Sequence, residues 1–153
     1  MSTNRVRNAL VTAAIATGVT SATALLLSKI LTGRAAAGLN ATSHIVWGDS
    51  AGRVKAPDFK HTAVGAALNA GAMASWAAIH ELLPRARSPL AALSKGALVS
   101  ALAYVTDYYV VPKRLTPGFE KHFTPGGMLL MYGALAGALG AGEALAAAED
   151  RAR

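Results

Sequence analysis

Four stretches of this chain are long and apolar enough to cross a bilayer, and no other feature of the sequence restricts its fold as strongly. A spanning helix needs about 20 mostly apolar residues, because each adds 1.5 Å across roughly 30 Å of hydrocarbon. Ala9 to Leu27, Thr62 to Ile79 and Pro125 to Gly142 contain no charged residue, and Pro89 to Val111 contains only Lys95 and Asp107. That third stretch spans if Lys95 snorkels to an interface and Asp107 faces protein or water. Soluble helices would each carry a charged face, and the first, second and fourth stretches have none. The expected fold is all-α: one integral membrane domain over residues 1 to 153, a four-helix bundle with helices near residues 8 to 31, 61 to 83, 89 to 111 and 125 to 147.

Arg5, Arg7 and the later Ala35-Ala36-Ala37 give the first stretch the outline of a secretory signal. A signal's apolar region runs only about 7 to 15 residues. This run is longer, and Lys29 and Arg34 separate it from the alanines, so it is expected to stay as a helix. Gly33, Pro84, Pro89, Pro112 and Pro125 mark the helix ends, as residues favoured after helices or at their first position. The long connection from Arg34 to Lys60 is expected to hold a short interfacial helix capped by Asn40 and ending at Trp47, whose ring suits the headgroup level.

Charged residues make up only 15% of the chain, where a soluble domain has about 25%, and 15 Lys plus Arg against 8 Asp plus Glu give a net charge of +7. This excess lies between the apolar stretches and faces anionic headgroups. The expected partners are therefore the lipid bilayer and a membrane-protein partner or a homo-oligomer, not nucleic acid. With no cysteine, disulfides, thiolate metal sites and iron–sulfur clusters are excluded. The terminal side carries Arg5, Arg7, Arg85, Arg87, Arg151 and Arg153; the other side carries Lys29, Arg34, Arg53, Lys55, Lys60, Lys113, Arg114 and Lys121. The positive-inside rule hardly separates these sets, and cytoplasmic termini are expected because a long connection translocates despite its charge.

Polar residues inside the bundle supply the candidate sites. On the second helix His61, Gly65, Asn69, Ala72, Trp76 and His80 recur at steps of four or three and share one face. Such a row either hydrogen-bonds neighbouring helices or lines a wet path, and the first is preferred. Gly133 and Gly137, extended by Ala141, form a GxxxG surface on the fourth helix, expected to pack inside the monomer in preference to a second copy. Antiparallel threading puts Glu81, Lys95 and Glu143 at similar depth near the terminal side, so Lys95 is expected to pair with one of the two carboxylates, since an isolated buried charge is costly. On the opposite side His44, His61 and Asp107 are expected to border the most polar part of the domain, with His122 and Asp49 nearby. Asp107 is expected to pair with Lys113, Arg114 or His61, so Asp107→Asn should disturb the protein more than Asp58→Asn in a loop. Imidazole and carboxylate suit zinc, but no local HxxxH or HxH pair supports a metal site, and none is expected. There is no GxSxG, HExxH, phosphate loop or dinucleotide fingerprint, and neither catalysis nor a cofactor is expected.

Four strings, Asn40 to Gly48 (NATSHIVWG), His61 to Gly65 (HTAVG), Trp76 to Glu81 (WAAIHE) and Asp107 to Arg114 (DYYVVPKR), together resemble a group of uncharacterised small bacterial inner-membrane proteins. The layout is also loosely similar to YagU-like membrane proteins. The resemblance covers roughly Asn40 to Glu120; it implies a bacterial inner membrane and carries no activity, cofactor or catalytic residue. The resulting expectation is a non-enzymatic scaffold or accessory subunit, with a small solute, ion or proton conductor along the polar row as the alternative.

Overall fold

The computed structural model describes residues 3 to 151, and every regular element among them is helical. Of the terminal arginines, Arg153 lies outside the described residues, as does the side chain of Arg151. Four helices are long and apolar enough to cross a membrane, and the chain is a multi-pass membrane protein by that measure. They are α1 (Thr3–Thr32), α4 (Val64–Leu82), α5 (Pro89–Val105) and α6 (Pro125–Arg151), with α2 (Ala37–Thr42) and α3 (His44–Trp47) in the long connection. Leu10, Leu26, Ile30, Leu90, Leu98 and Leu129 point outward. Large apolar side chains spread over the outside of a bundle are costly in water and neutral in lipid.

Local chemistry fixes the ends. Gly33 ends α1 with φ at +74°, a conformation glycine adopts without strain, and its N–H returns to the Lys29 carbonyl at 3.0 Å. Asp58, expected to be an indifferent loop residue, is instead a helix cap: its carboxylate accepts the His61 N–H and the His61 ring Nδ1–H, each at 2.7 Å. A π-helical turn, Phe59–Ala63, then leads into α4, and a second, Thr106–Val110, extends α5. Ser88 caps α5 through the Ala91 N–H, with Pro89 at the first helical position.

α6 is the central post: half of its apolar window is buried, against 22% for α1. It packs along both α1 and α5, while α1 also packs along α4; α4 and α5, though consecutive, touch sparingly. Small residues permit the closest crossing. Gly96 lies so near α6 that a Cβ there would strike the Ala136 carbonyl oxygen, and one at Gly140 would come within 3.1 Å of the Leu93 Cα.

The long connection differs from the expectation. Its helix begins at Ala37, is split at Ser43, and carries Asn40 inside it instead of at its start. Every residue of α2 is buried, wedged against α1 and α4. Ser28 of α1 accepts the Gly38 N–H at 2.8 Å, and a Cβ at Gly65 of α4 would collide with the Leu39 carbonyl oxygen. The Asn40 amide nitrogen donates to the carbonyls of Val54 and Ala56 at 3.0 and 2.8 Å, and its oxygen accepts from Thr62 at 2.7 Å. Asn40 thus satisfies backbone groups that an irregular segment would otherwise leave bare. Trp47 stays half-exposed with Lys60 over its ring at 4.6 Å.

Candidate functional site

The densest buried polar group lies where α4, α5 and α6 meet at the terminal end. His80 and Glu81 end α4, Lys95 is early in α5, and Glu143 is late in α6. Lys95 Nζ lies 3.1 Å from Glu143 Oε1, and the same oxygen accepts the Ala86 N–H at 2.7 Å. Glu143 therefore fastens both α5 and the turn after α4. Glu81 is not within ion-pair distance of Lys95; its Oε1 lies 4.0 Å from His80 Nδ1. His80 is fully buried, with Nε2 3.5 Å from Glu143 Oε2 in a geometry that makes no hydrogen bond. Both ring nitrogens of His80, Glu143 Oε2 and the buried hydroxyl of Thr12 have no hydrogen-bond partner. Native interiors rarely leave such groups unsatisfied. Sequence reasoning missed Thr12, although Gly142, one residue before Glu143, packs its backbone against that side chain.

Along the polar row of α4, the middle is occupied by helix contacts. The Asn69 amide nitrogen donates to Thr20 Oγ and Ser21 Oγ of α1, both at 3.1 Å, and Gly65 abuts α2. Asn69 also borders a central cavity of about 110 Å³ that Thr20, Thr42, Asp107 and Tyr132 help to line.

His44, His61 and Asp107 do not form one cluster. His44 is buried, with Nδ1 2.8 Å from the Ala41 carbonyl; His61 is bound to Asp58; Asp107 accepts the Tyr132 hydroxyl at 2.7 Å. Tyr132, not Lys113, Arg114 or His61, is the partner of Asp107. Arg114 instead donates from Nε to the Ile45 carbonyl at 3.0 Å and from Nη2 to the Val46 carbonyl at 3.3 Å. Among the described residues no His, Asp or Glu group has the arrangement of a metal site. Lys121 pairs with Asp49 at 3.1 Å, and this hydrogen bond and charge hold the Asp49 carboxyl below its ordinary range. His122 Nε2 lies 2.9 Å from the Gly52 carbonyl, and burial pushes its pKa below the ordinary 6.5.

The GxxxG surface also departs from expectation. Gly133, Gly137 and Ala141 are exposed, and a Cβ at either glycine would meet nothing within 4 Å. The helix crossing inside the monomer uses Gly96 and Gly140 instead. Ala144 and Ala148 continue the exposed face. Comparison with protein-family models, curated proteins and solved structures finds no match.

Proposed function

We propose that this chain is a non-enzymatic accessory subunit of a bacterial inner membrane, with both termini in the cytoplasm, and that α6 is the surface it offers to another transmembrane helix. The observation that carries the reading is the exposed run Gly133, Gly137, Ala141, Ala144 and Ala148. α1 and α4 also expose small residues, Ala14, Gly18 and Ala22 on the first and Ala67, Gly71 and Ala74 on the second, but the α6 run is longer and holds an exposed GxxxG pair, so this face lets a second backbone approach closely. Its resemblance to small inner-membrane proteins supports the location, and reporter fusions at each end test the orientation. Because the chain has no cysteine, Gly137→Cys introduces a sole thiol. Oxidation in native membranes should cross-link that thiol to a second copy or to a membrane protein that carries a thiol. Gly137→Leu should abolish a detergent-stable assembly without unfolding the monomer, since open space surrounds that position. An unchanged mass in mild detergent for wild type and Gly137→Leu would overturn the reading.

A second reading, proton handling, is favoured by one observation: the two unpartnered nitrogens of His80 beside the Glu143 carboxylate. Intramembrane ionisable groups are functional candidates by default. Proteoliposomes loaded with a pH-sensitive dye test it, with His80→Phe expected to stop any flux.

A further inference from the structure

A groove of about 910 Å³ lies between α5 and α6 and runs toward the loop end of the bundle. Its inner end is small and apolar, with Ala97, Ala101, Gly133 and Ala136. Its outer end is polar and aromatic, with Tyr108, Tyr109, Lys113 and Glu120. Along α6 it runs from Pro125 to Ala136, eleven steps of 1.5 Å or roughly 16 Å, which is about one leaflet of a hydrocarbon core roughly 30 Å thick. Polarity is thus graded along the groove as it is along a phospholipid. The groove has room for extended hydrocarbon chains along its small-residue floor.

The charges at the mouth select the headgroup. Lys113 and Glu120 line the same groove without pairing with each other, and among the described residues Lys113 makes no ion pair. The neighbouring cations are engaged elsewhere, Arg114 on the carbonyls of Ile45 and Val46 and Lys121 on Asp49. Glu120 accepts a 3.3 Å hydrogen bond from Thr116 and lies beside the Tyr108 hydroxyl, with no cation paired to it among the described residues. The Tyr108 hydroxyl is buried and makes no hydrogen bond of standard geometry. We infer that the groove is a site for one zwitterionic aminophospholipid of the leaflet on the loop side. Its phosphate faces Lys113, its primary ammonium faces Glu120, and its acyl chains lie along Ala97, Ala101 and Ala136.

The test is native mass spectrometry of the protein in mild detergent with equimolar phosphatidylethanolamine, phosphatidylcholine and phosphatidylglycerol. Phosphatidylethanolamine should be retained above the other two. Phosphatidylcholine offers no N–H to Glu120, and phosphatidylglycerol offers no cation. Lys113→Gln should lower retention of all three by about fivefold, a charge contact near the membrane surface, and Glu120→Gln should reduce phosphatidylethanolamine to the level of phosphatidylcholine. Ala101 is exposed in the groove on α5, so Ala101→Leu should displace the lipid while the detergent melting temperature stays unchanged. That position is off the α6 face proposed for a partner helix, so its effect is separable from Gly137→Leu. Equal retention of the three lipids, retention unaffected by Ala101→Leu, or cross-linking of Ala101→Cys to a second copy would each overturn the proposal.

Discussion

Removing the charge of Lys95 while leaving Glu143 in place is the sharpest test of the terminal-side group. The Lys95 side chain is 10% exposed and the Glu143 side chain 6%, so solvent screens their 3.1 Å contact little. Breaking a buried pair by deleting one partner costs about 3–5 kcal/mol, because the remaining charge stays desolvated. At roughly 2–4 °C per kcal/mol for a chain of this size, Lys95→Met should lower the melting temperature by about 6–20 °C. Glu143→Gln should cost less, since an amide oxygen can still accept the Ala86 N–H that the carboxylate now binds at 2.7 Å. The double variant removes both charges and should be more stable than Lys95→Met alone. Thermal unfolding of all four proteins in one detergent, followed by tryptophan fluorescence, closes the double-mutant cycle. Additive effects, or a Lys95→Met shift under about 2 °C, where a screened surface pair would lie, would refute the reasoning that this contact is a desolvated ion pair.

Gly65→Ala drives a Cβ into the Leu39 carbonyl oxygen and should cost about 1–3 kcal/mol of overpacking, whereas Gly71→Ala, with nothing within 4 Å, should be neutral or stabilising by up to ~1 kcal/mol; melting temperatures of the pair check both. Asn40→Ala removes three hydrogen bonds, at about 1 kcal/mol each, and should raise hydrogen exchange across residues 51 to 58 before the long helices respond. His122 has a folded-state pKa held below its ordinary 6.5 by burial. Below 6.5 the unfolded chain therefore binds a proton that the folded one does not, and stability falls with pH from that point down to the folded value. His122→Gln should flatten melting temperature against pH in that window, and an unchanged slope would show that another group causes the acid sensitivity.

Depth was the part of the site that could be read from sequence, because helix rise and antiparallel threading convert residue number into height. That is why Lys95 and Glu143 could be matched. The same count brings Tyr132, two turns into α6, to the depth of Asp107, about one turn before the end of α5's extension, but a phenol carries no charge to mark it as that partner. Direction around a helix was less accessible. A GxxxG pair marks a surface where backbones can meet, but Gly96 and Gly140 offer the same smallness, and only the tertiary arrangement shows that they make the internal crossing while Gly133 and Gly137 face outward. Asn40 was misplaced for a different reason. Its local pattern fits a cap, yet its partners Val54, Ala56 and Thr62 are 14 to 22 residues away, beyond any local rule. Asp58 is the reverse case, a strictly local cap three residues before His61.

The sparing contact between α4 and α5 bears on how the molecule is assembled. A tight turn joins them, but the pair buries little surface between its members, so it is a poor independent folding unit. The extensive interfaces are α1 with α4, α5 with α6, and α1 with α6; the last joins the two ends of the chain. Chains emerge N-terminal end first, so α1 enters the membrane long before the helix that completes its packing has been made. Until then its buried Thr12 has no Gly142 of α6 beside it, and α5 with Lys95 has no Glu143. The bundle is therefore completed only by α6: its loss would strip both α1 and α5 of a main neighbour and leave three helices, of which only α1 and α4 pack extensively.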